Sequence, residues 1–227
     1  TPPPDDPHGI TSEDLIRLLE DCLCGHEALM DRLIPFMKHK LKNDIFHGKV
    51  QAMSCIARAC HEYGPSVFLR ERPSEIADCL FELAQGCTGQ NEEAAELAST
   101  AFRCMKSIVK DISMKFPANN DEYSDEREGW NGLIEPLIKQ TEIAMKAPTS
   151  STTLNGKAAI QVACAISSGS FIASKAVIER MLPLLSSHLP TGSVHETHLL
   201  SLPSILVHIN LLIASLRASG LNFSGMG

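Results

Sequence analysis

Three places in the chain bring together side chain types that could do chemistry. Cys22, Cys24 and His26 offer two thiols and an imidazole, the donor set of a zinc site. Residues two apart on a helix point roughly 200° away from each other, so the two thiols cannot meet one ion while the helix lasts. Cys22 then belongs to a buried apolar stripe and Cys24 to the helix end. His195-Glu196-Thr197-His198 resembles the helical zinc-protease signature, which needs histidines four apart with the glutamate directly after the first. Here the spacing is one short, and the segment reads as a surface turn. Ser168 and Ser170 have no nucleophile elbow around them, and the chain has no glycine-rich phosphate loop or dinucleotide fingerprint. No catalytic residue, cofactor site or metal site is therefore expected, and the chain reads as a protein that is not an enzyme.

The remaining distinctive polar element lies between Phe116 and Glu128, where Asp121, Glu122, Asp125, Glu126 and Glu128 accompany one basic residue, Arg127. It reads as an exposed acidic loop at about 117–129. Trp130, the single tryptophan, follows it. An anionic segment beside an anchor aromatic could meet a basic protein partner. The same residues also suit a solvated insertion with Trp130 packed on its own repeat.

The elements that must carry these residues declare themselves by repetition. Ala28-Leu29-Met30-Asp31-Arg32-Leu33-Ile34-Pro35-Phe36-Met37 returns as Ala176-Val177-Ile178-Glu179-Arg180-Met181-Leu182-Pro183-Leu184-Leu185. Bulky apolar residues recur at matching helical offsets, Met30, Leu33, Ile34, Met37 and Leu41 against Ile178, Met181, Leu182, Leu185 and Leu189. A shorter version, Leu133-Ile134-Glu135-Pro136-Leu137-Ile138, lies between them. Pro35, Pro136 and Pro183 are spaced 101 and 47 residues apart. HEAT and armadillo units repeat every 40–47 residues or so, making the shorter interval one unit and the longer about two. Gly48-Lys49-Val50-Gln51-Ala52-Met53-Ser54-Cys55-Ile56 is likewise echoed by Gly156-Lys157-Ala158-Ala159-Ile160-Gln161-Val162-Ala163-Cys164. A lone helix pair cannot bury its apolar faces, so stacked pairs and an all-α HEAT/armadillo-type solenoid are predicted.

About nine helices follow from the periodicity. The first runs from Glu13 to Cys24, with Ser12 as cap, Leu15, Leu18, Leu19 and Cys22 inward and Gly25 as stop. The next two cover the first proline phrase to Leu41 and Lys49 to Tyr63, followed by Ser74 to Gln85 and Glu92 to Ser113. The second proline phrase and its partner, then the third phrase, lead to a last helix from Glu196 to Leu216. Pro203, His208 and Asn210 make that last stretch a buried terminal helix rather than a membrane span. The chain begins at Thr1 and reads as one solenoid segment, 1–227, from the interior of a longer protein.

Composition agrees with this outline. The chain is 44% hydrophobic and only 5% aromatic, which favours helices over sheets. Eight cysteines lie mostly inside apolar stripes, which suits a reducing compartment. A formal charge of −7 argues against a general nucleic-acid binder, and no membrane partner is expected.

Gly9-Ile10-Thr11-Ser12-Glu13-Asp14-Leu15, Leu18-Leu19-Glu20-Asp21-Cys22-Leu23, Leu33-Ile34-Pro35-Phe36-Met37-Lys38-His39-Lys40-Leu41, Gly48-Lys49-Val50 and Tyr63-Gly64-Pro65 resemble part of the MMS-nineteen family. The phrases Leu133–Leu137 and Met181–Leu185 are similar to that family's repeat wording. The resemblance implies a HEAT-repeat scaffold of cytosolic iron–sulfur protein assembly, found in cytoplasm and nucleus. Its implied partners are assembly factors and apoprotein clients, including DNA repair and replication enzymes. The resemblance carries no functional residue over to this chain. An importin-like or tubulin-binding HEAT scaffold is the alternative reading.

Overall fold

Apolar residues at helical spacing recur along the whole chain, and the computed structural model turns them into paired helices. It describes residues 9–64, 73–88, 91–114, 129–146, 154–187 and 202–218. Nine α-helices stand among them: α1 Ser12–Leu23, α2 Met30–Asn43, α3 Phe46–Tyr63, α4 Pro73–Ala84, α5 Glu92–Met114, α6 Glu135–Met145, α7 Leu154–Ser167, α8 Phe171–Ser187 and α9 Leu202–Ala218. Short 3₁₀ turns occupy Glu27–Leu29 and Gln85–Thr88, and a π-helical turn, Trp130–Ile134, opens α6. No strand occurs among the described residues.

The helices pack as two layers. Each even-numbered helix lies against the odd-numbered helix that follows it, giving the pairs α2/α3, α4/α5, α6/α7 and α8/α9. Along one layer α2 touches α4, α4 touches α6 and α6 touches α8. Along the other α3 packs on α5, α5 on α7 and α7 on α9, with α1 preceding α3. This is a helical-repeat solenoid, in which each pair buries its faces against its neighbours. We call the even-numbered row the A layer and the odd-numbered row the B layer.

Between the layers runs one continuous core. Ile34, Ile56, Leu80, Met105, Ile138 and Ile166 are all essentially inaccessible and come from six successive helices, α2 to α7. Small residues let the B layer close up: Ala52 and Ala59 in α3, Ala98 and Ala101 in α5, and Ala159 and Ala163 in α7 are fully buried. At Gly169 a Cβ would stand 2.7 Å from Val109 Cγ1 and 3.0 Å from the Lys106 carbonyl oxygen, so only glycine permits this approach of α7's end to α5. In the A layer a Cβ on Gly132 would lie 2.4 Å from Pro73 Cγ, at the junction of the π turn with α4.

Polar links bridge each A-layer junction. Lys38 and Lys42 of α2 reach Glu75 of α4 at 3.4 and 3.3 Å, Gln140 of α6 donates to Asp78 of α4, and Arg180 of α8 donates to Glu135 of α6 at 2.6 Å. Local signals end the helices as their residues require. Gly64, at φ 81°, terminates α3 in a conformation other residues rarely adopt.

Several expectations change. The cap of α1 is Thr11, not Ser12: Thr11 Oγ1 accepts from the Asp14 amide while the Asp14 carboxylate accepts from the Thr11 amide. The face of α1 expected to be inward is outward, with Leu15 58%, Leu18 55% and Leu19 47% exposed and Cys22 also exposed. The cause is tertiary, because α1 packs on α3 alone to any extent. Leu182 is 46% exposed, against 0% for its counterpart Ile34, and Ile178 is only half-buried. α3 starts three residues before Lys49, and the second proline phrase begins in π rather than α geometry. Leu189, His195-Glu196-Thr197-His198 and the acidic run Asp121, Glu122, Asp125, Glu126 and Glu128 lie outside the described residues. α9 begins at Leu202, so Pro203 occupies its first turn, where a missing N–H costs little. No helix among the described residues is long and apolar enough to cross a membrane.

Candidate protein-interaction surface

In the B layer the stripes of α3 and α5 that are not needed for the core face outward side by side. Helical spacing puts Val50, Ser54, Ala57 and His61 on one line of α3, and Thr100, Arg103, Ser107 and Lys110 along a band of α5. Between them is a shallow groove of about 310 Å³, lined by Val50, Met53, Ser54, Ala57, Thr100, Arg103 and Cys104. Its floor is apolar and its rim is polar. Arg103 donates to Thr100 Oγ1 at 3.0 Å, which leaves most of its N–H groups facing outward.

A helical turn beyond Ala57, outside the groove lining, stands a cross-helix pair. His61 of α3 lies 3.1 Å, Nδ1 to Oδ1, from the buried Asp111 of α5, whose second oxygen accepts from Ser107 Oγ at 3.5 Å. The three side chains do not form a nucleophile–base relay. The serine bonds the carboxylate rather than the imidazole, so nothing removes its proton toward a reacting carbonyl. Their role is to satisfy a buried carboxylate across α3 and α5.

The thiols of Cys55, Cys79, Cys104 and Cys164 are structural. Cys104 donates to the Met53 carbonyl at 3.4 Å, and burial pushes its pKa up to about 12. Burial pushes Cys164 up to about 11 and raises Cys79. The Cys24 thiol beside it, together with burial, raises Cys55. Thiols raised in this way stay protonated at neutral pH and are poor nucleophiles and ligands. In the Cys22, Cys24 and His26 constellation, Cys24 is buried and points at the Cys55 carbonyl, 3.7 Å away, while Cys22 is exposed. His26 Nδ1 accepts from the Ala28 amide at 3.1 Å, capping the 3₁₀ turn. Among the described residues no three His, Cys, Asp or Glu side chains converge as a metal site. Ser168 Oγ donates to the Ala165 carbonyl at 2.9 Å, and Ser170 Oγ caps α8 by accepting from the Ala173 amide at 3.1 Å.

Of the interaction residues expected from sequence, Trp130 is described. It sits at the head of the π turn, half-buried against the core. The groove and its cationic rim were not anticipated. The signal was present as Arg103, Lys106 and Lys110 at helical spacing, but which helix lay beside them was not readable from one segment.

The packing thus defines a helical-repeat solenoid with an open outer layer. Comparison with known proteins gives it a closer relation. Residues 1–84 match the family described as "Dos2-interacting transcription regulator of RNA-Pol-II". The "MMS19 nucleotide excision repair protein homolog" of Danio rerio is 38% identical over 110 residues, 48% of this chain and 10% of that protein. Those of Bos taurus and Homo sapiens are 32% and 31% identical over 99 residues, 44% of this chain and 10% of theirs. The chain resembles a segment of the MMS19 family and spans about a tenth of the length of these relatives. The family match covers α1 to α4, so the phrases Leu133–Leu137 and Met181–Leu185 lie outside it.

Proposed function

We propose that this chain is a non-catalytic scaffold segment that holds partner proteins, linking cytosolic iron–sulfur cluster assembly factors to apoprotein clients that include DNA repair and replication enzymes. The observation that carries the reading is the resemblance of α1 to α4 to the MMS19 family, whose relatives are named for nucleotide excision repair and whose family description names RNA polymerase II transcription. The repeated fold supports it, since stacked helix pairs offer extended surfaces for other macromolecules. In this reading residues 1–227 form one solenoid segment of a larger scaffold that works in cytoplasm and nucleus. The acidic residues Asp121, Glu122, Asp125, Glu126 and Glu128, next to Trp130, contact a basic partner segment.

Affinity capture with this chain from cytosolic and nuclear extracts, read by mass spectrometry, tests the proposal. Recovery of iron–sulfur assembly factors or cluster-dependent DNA enzymes supports it. Recovery of transport cargo or tubulin in their place overturns it in favour of a transport or cytoskeletal scaffold.

A further inference from the structure

We infer that the groove between α3 and α5 is a docking site for an extended acidic protein segment, whose carboxylates meet Arg103, Lys106 and Lys110 while a small apolar side chain enters between Val50, Ser54 and Ala57. This deepens the scaffold reading and rests on it.

The argument begins with charge. The chain carries 27 acidic and 20 basic residues, so three exposed cations on one side of a helix are against its general composition. Arg103, Lys106 and Lys110 fall at i, i+3 and i+7 on α5, one side of the helix, and all three are exposed. Several other bases on the described surface are committed: Arg58 to Asp21, Lys38 and Lys42 to Glu75, Lys40 to Asp44, and Arg180 to Glu135. Lys106 and Lys110 have no acidic partner among the described residues, and Arg103 bonds only the neutral Thr100. The helix dipole does not account for them. Its attraction for cations is confined to the last turn, and the last turn of α5, ending at Met114, contains no basic residue.

The neighbouring helix supplies the apolar half. Val50, Met53, Ser54 and Ala57 form a floor without charge, and the exposed His61 beyond it is fixed by Asp111. The acid nearest this face is Asp111, whose buried carboxylate is taken up by His61 and Ser107; beyond it come Glu96, two turns before Arg103, and Glu62, which lies toward Cys24 and α1 rather than toward α5. The groove therefore offers an apolar floor with Arg103 on its rim, and Lys106 and Lys110 stand further along the same helix. That combination selects an anionic chain that also carries apolar side chains, a property of acidic peptides rather than of a nucleic-acid backbone.

The test uses this chain and a fluorescein-labelled peptide, Glu-Glu-Leu-Glu-Glu-Leu-Glu-Glu, followed by anisotropy at low and moderate salt. The same peptide with glutamine for glutamate and a ten-nucleotide single-stranded DNA serve as comparators. Expected is saturable binding of the acidic peptide that weakens with salt, at least tenfold loss with Lys106→Glu combined with Lys110→Glu, and comparable loss with Ser54→Phe, which fills the groove. These positions are exposed, and unchanged thermal melting shows that the variants fold. The inference is overturned if the acidic peptide fails to bind, if the glutamine peptide binds equally, or if the variants bind like the parent. DNA bound as tightly as the peptide also overturns it, making the face a phosphate binder. Repeating the extract capture with the double lysine variant separates the two proposals. Unchanged recovery of partners leaves the scaffold reading standing and removes the groove, whereas no partner with the parent chain removes the scaffold reading.

Discussion

In α2, Ile34 is completely buried; in α8, Leu182 holds the same place in the repeated phrase and is 46% exposed. The two helices agree at Leu33 and Met181, 5% and 1% exposed, and at Met37 and Leu185, 3% and 0%. They part at the edges. α8 buries Ser174 and Val177, with Met181 and Leu185, so its covered arc is turned by roughly 60° about the helix axis relative to that of α2. Their neighbours explain the turn. The A-layer partner of α2 is α4, which follows it, whereas that of α8 is α6, which precedes it. One phrase thus specifies a helix with an apolar face, and the position in the stack chooses which edge of that face is covered.

The largest expected effect tests this directly. Ile34→Asp should cost several kcal/mol, because it buries an unpaired charge, while Leu182→Asp should stay within about 0.5 kcal/mol. Leu33→Asp and Met181→Asp should each cost several kcal/mol, since both copies bury that position. Urea denaturation of the four variants measures the pattern, and equal losses for Ile34→Asp and Leu182→Asp would break the comparison.

The layer junctions come next. Gly132→Ala drives a methyl into Pro73 between α4 and α6, and Gly169→Ala drives one into Val109 and the Lys106 backbone between α7 and α5. Overpacking of this kind should cost about 1–3 kcal/mol by the same assay. Thermal melts indistinguishable from the parent would show that neither junction is as tight as the distances require.

Smaller effects attach to the charges that tie each copy to its neighbour. Removing Arg180, about one-third exposed and paired with Glu135, should cost about 0.2–1 kcal/mol and less at high salt. At the α2 end the bond from Lys42, and then the charge of Lys38, hold the Glu75 carboxyl below the usual carboxylate range. The folded state therefore binds that proton less readily than the unfolded chain. Its stabilising contribution is full above the ordinary glutamate value near pH 4.3 or so and is lost as pH falls below it. Glu75→Gln should flatten the acid limb of a stability–pH curve, and an unchanged limb would remove the α2–α4 bridge from the account.

The smallest effect is expected at α1, where Leu18→Asp should change stability by less than about 0.5 kcal/mol, since Leu18 is 55% exposed. A loss of several kcal/mol on denaturation would mean that this face is covered in solution.

Much of the fold was readable from residue order. The proline phrases, the Gly48 and Gly156 echoes and the stripe from Ala101 to Ile112 located the A and B helices, since 3.6-residue periodicity is a local property. Gly25 marked a helix end for the same reason. The π turn at Trp130–Ile134 was not readable, because its apolar residues suit an α pattern equally well. For the candidate surface, Arg103, Lys106 and Lys110 were visible as a stripe, but the groove needs Val50, Ser54 and Ala57 from a helix some fifty residues earlier.

By itself, then, the amino-acid order determined helices, their apolar faces, their caps and their pairing into repeats, all of which depend on residues within a few turns of one another. Only the tertiary structure decided that Leu15, Leu18 and Leu19 stay outside, that Leu182 is uncovered where Ile34 is not, and that Arg103 of α5 borders the α3 groove. Burial is a property of neighbours, and the neighbours of a solenoid helix are set by its place in the stack.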